Sequence, residues 1–117
     1  MLGDIKHKVP EIDASEVFKE IQAKKDVQIL DVRTEAEYSR GNIVGSINIP
    51  VDKVSLEVEK ILPDKNKTTY VYCLSGSRST VAVEEMMKIG YKNVYSMTSG
   101  LLSWRSKQYP LSTDPHA

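Results

Sequence analysis

Short apolar runs alternate with stretches of helical spacing from one end of the chain to the other. Asp13-Ala14-Ser15-Glu16 has the form of a capping box, and the helix it opens carries Val17 and Ile21 on one face with Phe18 beside them. Val27-Gln28-Ile29-Leu30 predicts a strand. Thr34 with Glu37 is a second capping-box pattern, opening a short helix that Gly41 ends. Ser46-Ile47-Asn48-Ile49 predicts a brief strand stopped by Pro50, which has no N–H to give to a ladder. Val54, Val58, Ile61 and Leu62 then recur at helical spacing until Pro63, with Glu57, Glu59 and Lys60 forming a solvated face. Thr68 to Tyr72 is the strongest strand pattern in the chain. The helix after it presents Ala82, Met86 and Ile89 before Gly90, its methionines reading as core filler. Val94-Tyr95-Ser96-Met97 is another short strand, and Gly100 precedes a final helical segment holding Leu101, Leu102 and Trp104.

Strands separated by helices predict an α/β fold: a mainly parallel sheet covered on both faces, with its site at the carboxyl ends of strands. No internal repeat or low-complexity tract interrupts this pattern, and 117 residues are enough to bury one core, so one domain spanning residues 1–117 is expected. Sixteen basic and sixteen acidic residues cancel, and no Lys/Arg stripe interleaves with aromatics, which argues against a nucleic-acid partner. No stretch is long and apolar enough to cross a bilayer, and Met1-Leu2-Gly3-Asp4-Ile5-Lys6 lacks an apolar signal core. The expectation is a cytoplasmic protein with no membrane partner. Segment 110–117, with Pro110 and Pro115, reads as a loose tail.

Candidate chemistry converges on Cys73. As the only cysteine it excludes an internal disulfide, a CxxC redox pair and a cysteine-rich zinc site. His7 and His116 lie near the chain ends, so a papain-like Cys/His pair is not expected either. Cys73 stands where the Thr68–Tyr72 strand gives way to Leu74-Ser75-Gly76-Ser77-Arg78-Ser79 and then a helix. Small residues at 75 to 77 let the backbone curl so that successive N–H groups face one point, to which the next helix directs its positive end. A helix terminus alone supplies ~0.3–1 kcal/mol to an anion, so the loop amides and Arg78 are needed as well if the thiol is to react as thiolate. The competing reading is a small buried hydrophobe; the Gly/Ser loop with an arginine behind it favours the reactive one.

Other residues of this region carry two readings each. Arg78 either faces the anion or turns away to tie the loop to a neighbouring carboxylate. Asp31 and Arg33, at the end of the preceding strand, either orient substrate or brace Arg78, or else form a local cap and surface pair. Ser75, Ser77 and Ser79 read as loop formers and a helix cap, with a hydroxyl also able to line a pocket. Trp104 reads as core or pocket wall.

These residues fall into an ordered set of motifs: Leu30-Asp31-Val32-Arg33, Glu37-Tyr38, Gly41-Asn42-Ile43, and Gly45 through Pro50. The set continues with Tyr72-Cys73-Leu74-Ser75-Gly76-Ser77-Arg78-Ser79, Gly90-Tyr91-Lys92-Asn93-Val94, and Ser99-Gly100-Leu101 leading to Trp104. With these motifs, spanning about residues 29–104, the chain resembles a single-domain rhodanese, a sulfurtransferase module. The resemblance implies a rhodanese-like, mainly parallel five-stranded sheet flanked by helices on both faces. It implies transfer of a sulfane sulfur through a Cys73 persulfide held by the N–H groups of residues 74 to 78, without metal or cofactor. The donor would be thiosulfate, another small molecule or a protein persulfide, the acceptor cyanide or a thiol, and the protein a monomer or weak homodimer.

Asn42 stands where the family often has histidine, and Ser99 where it often has a second glycine; both positions shape turns. Leu74 stands where thiosulfate-using members often carry a basic residue, which leaves the donor open. The enzymatic rival is a cysteine phosphatase or arsenate reductase, whose loop has five residues between cysteine and arginine; here Leu74, Ser75, Gly76 and Ser77 make four. The other rival is a rhodanese-like binding module in which the thiol is idle.

Overall fold

Residues 8–113 are described by a computed structural model of the chain. In chain order the elements are β1 (Glu11–Ile12), α1 (Ala14–Gln22), β2 (Gln28–Asp31), α2 (Glu35–Ser39), β3 (Ile47–Asn48), α3 (Val54–Ile61), β4 (Thr69–Tyr72), α4 (Ser77–Lys88), β5 (Val94–Met97) and α5 (Gly100–Ser106). A single 3-10 turn, Val51–Lys53, leads into α3.

Alternation in β2 and β4 decides the layering, because both faces of these strands are apolar and each must be covered. Leu30, Val71 and Cys73 pack on one face with Val54 and Val58 of α3 and Ala82, Val83 and Met86 of α4. Ile29, Tyr70 and Tyr72 point the other way, onto Ala14 and Val17 of α1 and Leu101 and Trp104 of α5. All strands pair in parallel in the order β1-β5-β4-β2-β3. The result is the expected α/β sheet with helices on both faces. Its register sets Asp31 beside Tyr72 and Val71 beside Ser96, so the carboxyl ends of β2, β4 and β5 gather at one edge. The loop after β4 starts at that edge.

Several local readings shift. β1 was not visible in the hydrophobic pattern, since two residues are too few to alternate. Asp13 caps α1 by accepting from the Ser15 N–H, while the Glu16 carboxylate meets Lys19 instead of completing a box. The Thr34–Glu37 box is complete in both directions. Met86 fills the core as expected, whereas Met87 is exposed.

The tail is tied down over residues 110–112, contrary to the loose reading: Trp104 Nε1 donates to the Pro110 carbonyl at 2.9 Å, and Asn42 and Ser112 exchange backbone hydrogen bonds at 2.8 Å. Residues 114–117 of that tail, His116 among them, and His7 lie outside the described residues. Among the described residues no helix is long and apolar enough to cross a membrane.

Candidate active site

Cys73 follows the last residue of β4, and α4 opens four positions later. Gly76 is the N-cap of α4 in a left-handed conformation, φ +109°, and has no side chain with which to cap. The cysteine sulfur takes that place: Sγ accepts the N–H of Gly76 at 3.1 Å and of Ser79 at 3.3 Å. The N–H groups of Ser77 and Arg78, also in the first turn, have no acceptor within the helix, so the positive end of α4 is directed at the sulfur. The Ser79 hydroxyl lies 3.6 Å from Sγ and is itself held by Ser96 Oγ at 2.7 Å and the Gly76 carbonyl at 3.1 Å. Ser79 is therefore the third residue of the helix and not its cap. Ser75 and Ser77 are exposed, and among the described residues their hydroxyls make no hydrogen bond.

The loop amides face inward because the loop carbonyls are held outward. Leu101 N donates to the Cys73 carbonyl at 2.9 Å and Leu102 N to the Leu74 carbonyl at 3.0 Å, so α5 binds the loop from outside. In a trans peptide the N–H points opposite to the C=O, which turns the N–H groups of Leu74 and Ser75 away from α5. This approach depends on Ser99 and Gly100 both being left-handed, at φ +58° and +47°. A Cβ on Gly100 would lie 2.3 Å from the Cys73 carbonyl oxygen. Gly100 thus lets α5 approach the loop, which its place in the Ser99-Gly100-Leu101 motif marked without explaining.

Arg78 grips Glu37 with both terminal nitrogens, at 2.7 and 3.1 Å. The same carboxylate accepts the Thr34 N–H at 3.0 Å, so one side chain caps α2 and braces the loop. The Arg78 hydrogen bond holds the Glu37 carboxyl well below its usual range, at about 2. The Arg78–Glu37 pair has the form of the bracing reading, and the capping pattern of Glu37 hid this second partner.

Asp31 and Arg33 make no hydrogen bond or ion pair with Arg78. They form a local pair, with Arg33 Nη2 2.7 Å from Asp31 Oδ2 and Arg33 Nε 3.1 Å from both carboxylate oxygens. The pair is not on the surface as the cap-and-surface reading had it: Asp31 is 0% and Arg33 2% exposed. Arg33 also donates to the Gly41 carbonyl at 2.6 Å and lies over the Tyr72 ring. An ionised pair tolerates such burial because its hydrogen-bonding groups are taken up by neighbours.

A cleft of about 250 Å³ borders the loop, lined by Arg33, Glu37, Arg40, Leu74 and Arg105. Leu74 is the Cys73-loop residue that faces it. Cys73 itself is 0% exposed and belongs to the α3–α4 side of the core. The two readings of the cysteine meet here: it is buried like a structural residue, yet its sulfur receives two backbone N–H groups. Trp104 is core, buried against Phe18 and Tyr109. Among the described residues no group of three or more His, Cys, Asp or Glu side chains could hold a metal ion.

The sequence family described as the rhodanese-like domain matches residues 14–107. The chain belongs to the rhodanese family. It is 31% identical over 99 residues to the putative sulfur carrier protein YrkF of Bacillus subtilis, which covers 85% of this chain and 52% of that protein. The chain thus spans about half the length of that relative. It is 29% identical over 103 residues to a sulfurtransferase of Allochromatium vinosum, covering 88% of this chain and 94% of that one. A rhodanese-related protein of Thermoplasma volcanium superposes with a TM-score of 0.80 at 32% identity, over 91% of this chain and all of the other. Sulfur transfer is the chemistry named among these relatives, and the Cys73 loop lies inside the matched region.

Proposed function

We propose that this protein is a sulfurtransferase that carries a sulfane sulfur as a persulfide on Cys73. The observation that carries the reading is the sulfur of Cys73 in the N-cap position of α4, accepting the N–H groups of Gly76 and Ser79. An anion at that point meets fixed dipoles that need no rearrangement as charge moves.

The chemistry follows in two displacements. Cys73 thiolate attacks the outer sulfur of thiosulfate, the S–S bond breaks, and sulfite leaves with the bonding pair, leaving Cys73–S–S⁻. Cyanide or a thiolate then attacks the terminal sulfur and Cys73 leaves as thiolate. Neither step needs a proton, which suits a loop with no histidine. A persulfide donor serves in the same way, with a thiolate as the leaving group. Negative charge begins on Sγ and moves one sulfur outward, where the remaining N–H groups of the loop and first turn receive it.

The phosphatase reading asks the loop arginine to face a phosphoryl group, but Arg78 is engaged by Glu37, and four residues leave a tight loop. Incubation with thiosulfate and cyanide is expected to yield thiocyanate, falling to background in Cys73→Ser. Absence of transfer from thiosulfate and from persulfides, or hydrolysis of aryl phosphates that depends on Cys73, would reverse this reading.

A further inference from the structure

The cleft beside Leu74 holds more positive charge than its acids neutralise. Arg33 is bound to Asp31 and Glu37 to Arg78, so those charges are matched. Arg40 and Arg105 are not. Arg40 ends α2, Arg105 lies in the last turn of α5, and both are exposed. Among the described residues neither makes an ion pair or a side-chain hydrogen bond. Two unpaired guanidinium groups brought to one cleft by separate helices repel each other and create a field that concentrates anions.

The size and polarity of the cleft indicate which anions. At about 250 Å³ the cleft is larger than an ion of a few atoms such as thiosulfate. The residue next to Cys73 that lines it, Leu74, is apolar, and neither unpaired arginine belongs to the Cys73 loop. A ligand that matches this pattern places its sulfur at the loop, apolar atoms against Leu74, and its negative charge at the arginines.

We infer that Arg40 and Arg105 are specificity-determining residues of this site, selecting organic persulfides and thiols that carry carboxylates separated from their sulfur. The inference rests on the sulfur-transfer reading of Cys73. The step is Cys73–S⁻ + R–S–SH → Cys73–S–SH + R–S⁻: the donor S–S bond breaks, its electron pair leaves with R–S⁻, and the proton stays on the transferred sulfur. The arginines hold the carboxylates of R and take no part in the bond changes.

The test compares loading of Cys73, by rapid quench and intact mass, from two probes: glutathione persulfide, which has two carboxylates, and 2-hydroxyethyl persulfide, which has none. The full chain is used as wild type, Arg40→Gln, Arg105→Gln, the double variant, and Arg40→Lys/Arg105→Lys. Each exposed charge contact contributes ~0.5–1 kcal/mol, so each Gln substitution is expected to lower the ratio of the two rates about threefold and the pair about tenfold. Lysine at both positions restores most of the ratio, and added salt shrinks the wild-type preference. A ratio that is the same in wild type and double variant overturns the inference while leaving sulfur transfer intact. A wild type that accepts sulfur from neither probe but is loaded by thiosulfate also overturns the inference alone, and one that accepts sulfur from neither probe nor thiosulfate removes both.

Discussion

The sulfur of Cys73 fills the role that a Ser or Asp side chain fills at most helix starts, and Arg78 of the loop around it is held by a carboxylate 41 positions earlier in sequence, Glu37. If Arg78 acts by bracing, Arg78→Ala and Glu37→Gln remove the same tie. Each is expected to cost about 1 kcal/mol in urea denaturation and to slow persulfide formation several-fold, with the double variant little worse than either single one. An Arg78→Ala defect in transfer far larger than that of Glu37→Gln would instead place the guanidinium on the substrate. The tie also has a pH signature. Glu37 titrates at about 2 in the folded chain against an ordinary 4.5, so its contribution is complete above the ordinary value and is lost as pH falls toward the folded one. The stability difference between wild type and Glu37→Gln is therefore expected to be constant from pH 7 to about 5 and to shrink between about 4.5 and 2. Thr34 and Glu37 were legible as a cap because capping is local; the link to Arg78 was not, because only the sheet order brings α2 to the mouth of β4.

At the scale of elements, the loop between β4 and α4 owes its inward amides to the start of α5. Gly100→Ala drives a Cβ to within 2.3 Å of the Cys73 carbonyl, backbone against backbone, so no rotamer change relieves it. The expected result is a loss of roughly 2–4 kcal/mol in thermal or chemical unfolding, with persulfide formation lost in the fraction that stays folded. Ser99→Ala, at a position already left-handed with a Cβ, is expected to cost under about 1 kcal/mol by the same measurement. An unperturbed Gly100→Ala protein would mean that α5 does not shape the loop. Strands with alternating or continuous apolar residues, such as Thr69–Tyr72 and Val94–Met97, could be read directly from the chain. β1 could not, since Glu11 and Ile12 gain strand identity only from pairing with Ser96 and Met97. The burial of Asp31 and Arg33 was hidden for a related reason: two charges in a row of apolar residues look like a surface until the fold supplies Gly41, Tyr72 and Asn48 around them.

Across the whole molecule, two apolar layers fix a five-stranded sheet so that one edge collects the ends of β2, β4 and β5, and the cysteine sits where the central strand meets a helix dipole. Pro110 to Ser112 complete the layer over Trp104, which composition alone read as tail because prolines near a terminus carry no sign of their partners. We propose that this arrangement serves to carry one sulfur atom on Cys73. It is tested most directly by exposing the protein to thiosulfate or a persulfide, measuring its intact mass, mapping the adduct, and then adding cyanide. The expected result is a gain of a single sulfur atom located on Cys73 and its complete loss to cyanide as thiocyanate. A protein whose mass is unchanged by every such donor, or whose added sulfur persists in Cys73→Ser, would contradict it.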